Sequence, residues 1–132
     1  IYQCDWSSDV CSSDLGAALI AAGRDAARSR DVARMIAADI DFHRFVYDLS
    51  GNPLIAEAAS LHWQHIRRVM GSVLQSDRST HIWDEHAAIL ESIVTGKADE
   101  AERRARAHAE AASKMLATQL ADRVPEGTKK SA

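Results

Sequence analysis

ADIDFHRF, residues 38–45, is the stretch on which the reading of this chain turns. Asp39 and His43 stand four apart in a helically patterned run, so their side chains leave the same side of one helix. That side is also the apolar one, shared with Ile36, Ile40, Val46 and Tyr47. A carboxylate and an imidazole therefore aim at a core. A lone carboxylate there is costly unless it is paired or bound to a metal, and carboxylate plus neutral imidazole is a donor set that divalent transition metals accept.

Outward from this stretch, helix-forming patterns fill the chain. Asp31 suits an N-cap for a helix over Val32–Leu49, with an apolar stripe of Val32, Met35, Ile36, Ile40, Val46 and Tyr47 around Asp39 and His43. Ser50-Gly51-Asn52-Pro53 marks a stop and restart: Gly51 fits a left-handed C-terminal position, Asn52 a cap, and Pro53 a first helical turn. So short a turn makes the flanking helices antiparallel neighbours. Residues 54–74 continue helically, with Ile55, Ala58, His62, Ile66, Val69 and Val73 as the expected inner stripe, and residues 75–80 read as a polar connection. A helix over residues 81–94 carries Ile82, His86, Ile89, Leu90 and Ile93 on one face. Thr95-Gly96 ends it, and a last helix over residues 97–120 turns Ala101, Ala105, His108, Ala112 and Met115 inward. On the amino-terminal side, residues 16–30 form an Ala-rich helix weakened at Gly23, and residues 122–132 read as a frayed, disordered tail.

Residues 1–15 (IYQCDWSSDVCSSDL) differ from everything after them, with no helical period and no basic residue. Asp5 to Leu15 can be back-translated as a common short-read sequencing adapter read in frame. The segment is therefore read as artefactual and disordered, and is set aside like a fusion scar. Without Asp5, Asp9 and Asp14 the acidic and basic residues balance at 16 each. That neutrality offers no electrostatic case for nucleic-acid or anionic-membrane binding. Cys4 and Cys11 fall in the same segment, so the domain over residues 16–121 has neither a disulfide framework nor a thiolate zinc site, in keeping with a cytoplasmic setting. No apolar run approaches the roughly 18 to 20 residues of a membrane span. The composition, rich in Ala, Leu, Ile, Arg and Glu with Pro only at 53 and 125, is that of an all-α antiparallel helical bundle.

Two more histidines, His86 and His108, sit on apolar stripes as His43 does. A lone histidine in such a place is more often a hydrogen-bonded core residue than a ligand. Three of them on separate helices, with Asp39, point instead to one shared metal site. His81 lies at a helix start and reads as solvated, while His62, with His65 three positions on, is a reserve candidate. Enzymatic patterns are missing: Glu85-His86 is not HExxH, no Glu-x-x-His pair suggests a di-iron bundle, and neither a phosphate loop nor a nucleophile elbow is present.

Asp39-x-x-x-His43, the Ser50-Gly51-Asn52-Pro53 turn, Glu85-His86, the Gly96/Asp99 junction and His108 together resemble the effector-binding C-terminal (FCD) domain of FadR-like regulators in the GntR superfamily. The resemblance spans about Val32 to Leu120 and implies a helical bundle around a cavity. It further implies Asp39, His43, His86 and His108 as ligands of a divalent metal (Zn, Ni or Mn) that helps hold a small carboxylate effector, a hydroxy acid or sugar acid. Arg67 or Arg68 is then the candidate for the effector's second oxygen, with His62 as a further effector-binding candidate. The resemblance also implies a non-enzymatic, homodimeric transcription regulator that meets operator DNA through a winged-helix domain not found in this sequence. The family's first helix is missing or replaced by the adapter-like residues, so the chain reads as a truncated regulator with an apolar face left bare. A metal-dependent hydrolase and a metal-free helical interaction module are the competing readings.

Overall fold

The computed structural model describes residues 9–74 and 79–123, except for a few side chains within the helices. Among the described residues the chain forms five helices: α1 (Asp9–Ser29), α2 (Val32–Leu49), α3 (Pro53–Leu74), α4 (Ser79–Val94) and α5 (Ala98–Arg123). Local chemistry sets their ends. Asp31 accepts a hydrogen bond from the Arg34 amide at 3.1 Å and caps α2. Asn52 Oδ1 accepts from the Leu54 amide at 3.1 Å, and Pro53 opens α3. Gly51 and Gly96 take positive φ angles of 66° and 70°, reversing the chain after α2 and α4 at little steric cost. The end of α1 uses a harder solution. Arg30 adopts φ 55° while the Asp31 amide donates to Ala26 O at 3.1 Å and the Arg30 amide to Ala27 O at 3.2 Å. This is a Schellman closure with a non-glycine residue at its left-handed position.

The helices pack as a closed ring in the order α1, α2, α3, α5, α4 and back to α1. Two apolar clusters fill it. One joins Ala26, Ala27, Met35, Met70, Leu74 and Trp83 with their neighbours, and the other joins Ile20, Phe42, Phe45 and Leu90. Trp83, Phe42 and Leu74 are essentially inaccessible to water, and burying each is worth about 2 kcal/mol. Gly23 is what lets Trp83 into the ring: a Cβ at position 23 would collide with Cζ2, Cζ3 and Cη2 of the indole. The glycine expected to weaken α1 is thus the place where α4 approaches it.

Several expectations need correction. The first helix begins at Asp9 and not at residue 16, so residues 9–15, expected to be disordered, extend α1. Once Ile20 and Gly16 pack against α4, residues free of Gly and Pro can add turns, each gaining a hydrogen bond per residue ordered. The last helix likewise runs through Arg123, past the point where a tail was expected; residues 1–8, 75–78 and 124–132 lie outside the described set. On α2 the buried residues are Met35, Ala38, Asp39, Phe42 and Phe45, while Ile36, Ile40, Val46 and Tyr47 are only half-buried. Helix α2 lies between α1 and α3, which rotates its most enclosed line toward the phenylalanines. On α3 the inner line is Ala56, Ala59, Trp63, Ile66, Met70 and Leu74, leaving Ile55, Ala58 and His62 exposed. The first half of α3 is apolar on nearly every side, so periodicity there could not choose a face.

Candidate metal centre

The polar centre of the ring lies where α2, α4 and α5 converge. Asp39 and His43 come from α2, one turn apart; His86 comes from α4 and His108 from α5. Asp39 and His86 are almost completely buried, and His43 and His108 are largely so. One ligand atom from each of His43, His86 and His108 lies within 4.8 Å of the others. His86 Nε2 is 3.2 Å from His108 Nε2 and 3.6 Å from Asp39 Oδ1, and His43 Nε2 is 3.9 Å from the same Asp39 oxygen. Four atoms bonded to one zinc at about 2.0–2.2 Å sit roughly 3.3–3.6 Å apart in a tetrahedron. The His86–His108 and His86–Asp39 separations are thus already near coordination spacing, while His43, with the three histidine nitrogens within 4.8 Å of one another, would have to draw inward to join them.

Aromatic packing holds these rings. Phe42 stacks on His86 with centroids 4.3 Å apart and planes 21° apart, while Trp83 meets His86 edge-on at 5.0 Å. Trp63 of α3 leans against His43 at 5.2 Å. Glu85 receives a hydrogen bond from His108 Nδ1 at 2.7 Å, and the exposed His81 lies 3.6 Å from its other oxygen.

The electrostatics of the site follow from the burial of its donor groups. Among the described residues neither oxygen of Asp39 has a hydrogen-bond donor, an expensive condition for a carboxylate beyond the reach of water. Burial pushes the Asp39 carboxyl up to about 7. Burial, and then repulsion from His108, holds His43 down to about 3; burial followed by His43 and His108 holds His86 down to about 2. The two imidazoles are thus neutral near pH 7, the form in which nitrogen lone pairs bind metals. A divalent cation would favour the anionic form of Asp39 and give its oxygens the partner they lack. The residues present therefore fit such an ion.

The four residues expected from the sequence are brought together; the effector candidates are less centrally placed. His62 and Arg67 are exposed on α3, and the Arg68 side chain lies outside the described residues. His81 is exposed, as expected of a residue near a helix start. Sequence reasoning missed the roles of Glu85, Trp83 and Trp63. Glu85 carried one weak signal, its i, i+4 spacing from His81, whereas the tryptophans' contacts with the histidines had none.

The sequence model described as FCD domain matches residues 14–111, most of the chain. No curated protein and no solved structure matches it. Among the described residues, no helix is long and apolar enough to cross a membrane.

Proposed function

The chain belongs to the FCD domain family, whose members are effector-binding domains of GntR-type regulators, and on that premise we propose that it senses a small carboxylate metabolite through a divalent metal. The observation that carries this reading is Asp39: a buried carboxylate with no hydrogen-bond donor among the described residues, beside three histidines whose ligand atoms lie within 4.8 Å of one another. Asp39, His43, His86 and His108 would hold the ion. When bound, the metal supplies a Lewis-acidic centre whose remaining positions suit a carboxylate oxygen, as five- or six-coordinate Ni, Mn or Zn permits.

The chain's own residues set the rest of the chemistry. Phe42 and Trp83 restrain the His86 ring, and Trp63 restrains His43 from the α3 side. Arg67 follows Trp63 by one helical turn and is the cationic candidate for the effector's second oxygen, with Arg68 and His62 as alternatives. An effector touching both α3 and the centre would link α3 to its neighbours α2 and α5 and, across the ring, to α4. Such bridging alters a regulator's output only to the extent that the effector binds one arrangement better than another. In this reading the domain works as a homodimer in the cytoplasm, and operator DNA is contacted by a separate winged-helix unit.

Hydrolysis is the weaker reading. It needs a base free to activate water, and Glu85, a further carboxylate at the edge of the centre, is engaged by His108. A metal-free interaction module loses its main support once the histidines adjoin one another. Metal analysis tests the proposal. The purified chain should bind Zn, Ni or Mn at one equivalent, and Asp39→Ala and His108→Ala should each abolish or sharply weaken that binding. Equal metal content in all three proteins would refute it.

A further inference from the structure

His108 meets a carboxylate at the ring nitrogen remote from the centre. Its Nδ1 lies 2.7 Å from Glu85 Oε2, while its Nε2 points at His86 Nε2, 3.2 Å away. His86 Nδ1, by contrast, has no hydrogen-bond partner among the described residues. A carboxylate can only accept, so His108 Nδ1 must carry the proton and donate it. Neutral imidazole has a single ring proton, which leaves the His108 Nε2 lone pair bare on the side facing Asp39, His43 and His86.

We infer that Glu85 is a positioning residue for the metal centre, fixing His108 in its Nδ1–H tautomer and aiming Nε2 at the ion. The fold makes this arrangement economical. Adjacent residues of α4 diverge by about 100° around the helix axis, so Glu85 reaches the α5 side while His86 enters the middle of the ring. One helix therefore supplies both a ligand and the group that orients a ligand on its neighbour. Glu85 is about one-quarter exposed, whereas His108 is about one-tenth exposed. The carboxylate thus sits at the rim and holds the imidazole from its outer edge. A carboxylate behind a ligating imidazole also raises the ring's basicity, and losing such a partner typically costs roughly 10–100-fold in metal affinity.

The inference concerns the metal site proposed above, but its test has one arm that needs no metal. Long-range ¹H–¹⁵N spectra of the metal-free full chain report the His108 tautomer directly. The unmodified protein should show Nδ1–H, Glu85→Gln should retain that form through its amide oxygen, and Glu85→Ala should shift His108 toward Nε2–H or a mixture. In the second arm, zinc affinity is measured by chelator competition. Glu85→Ala should weaken it roughly 10–100-fold and Glu85→Gln less, with helicity by circular dichroism unchanged in both. An Nε2–H tautomer in the unmodified protein would overturn the inference, as would a Glu85→Ala protein that keeps both tautomer and zinc affinity. If the unmodified chain binds no zinc but shows the Glu85-dependent tautomer, the metal reading fails and Glu85 still stands as the residue that orients His108.

Discussion

Gly23→Ala sets two opposing effects against each other. Gly23 lies in the middle of α1, where replacing Gly by Ala in an unobstructed helix gains about 1 kcal/mol through lower backbone entropy in the unfolded chain. Here the added methyl would fall on three carbons of the Trp83 ring. That indole is fully buried in the cluster with Ala26, Ala27, Met35 and Leu74, so turning it away would press on these neighbours. Overpacking of this kind costs about 1–3 kcal/mol, and contact with a rigid ring places the cost toward the upper end. The net expectation is a loss of about 2 kcal/mol, a fall in Tm of roughly 5–10 °C for a domain of this length. Thermal and urea unfolding followed by helicity would measure it. Trp83 also meets His86 edge-on, so zinc affinity should fall in the same variant. Trp83→Phe offers an internal check, because the smaller ring vacates space that a methyl at position 23 can fill. The double variant should therefore be more stable than the sum of the single effects by about 1 kcal/mol or more. A Gly23→Ala protein that melts at or above the parent temperature would show that the α1–α4 approach is not as close as described.

Two further outcomes concern backbone strain and pH. Arg30→Gly relieves a left-handed residue at the end of α1 and should raise stability by about 0.5–1 kcal/mol, read as a higher Tm; an unchanged or lower value would contradict the Schellman geometry at Arg30. In metal-free protein, Asp39 with its raised pKa stabilises the fold at pH below its unfolded value near 3.8, and that contribution is lost as pH rises through about 7. His43 and His86, held low, act in the opposite sense: their burial as neutral rings costs stability as pH falls below 6.5 toward 3 and 2. Considering these three groups, metal-free stability should peak near pH 7. Zinc, which favours ionised Asp39, should raise Tm more at pH 8 than at pH 5.5. A zinc-induced Tm shift that does not grow with pH would contradict this linkage.

What could be learned from residue order and what required assembled helices divide along a physical line. Helix identity, the caps at Asp31 and Asn52, the reversals at Gly51 and Gly96, and the grouping of Asp39 with His43 are short-range properties, set by propensities and by spacing along a single helix. They were legible because each depends on residues within about one turn of one another. The role of Gly23 was not, because propensity marks it as a weakness while its value comes from Trp83, three helices further along the chain. The inner face of α3 was also undecided locally, since apolar residues surround its first half and only packing against α2 and α5 selects Trp63 over His62. Likewise, His86 and His108 could be suspected as ligands from the stripes they occupy, but the hydrogen bond that orients His108 depends on the side of α4 from which Glu85 projects. Periodicity shows that a polar side chain points inward. Which atom it meets there is decided by the rotation and approach of whole helices, and that is a property of the closed ring.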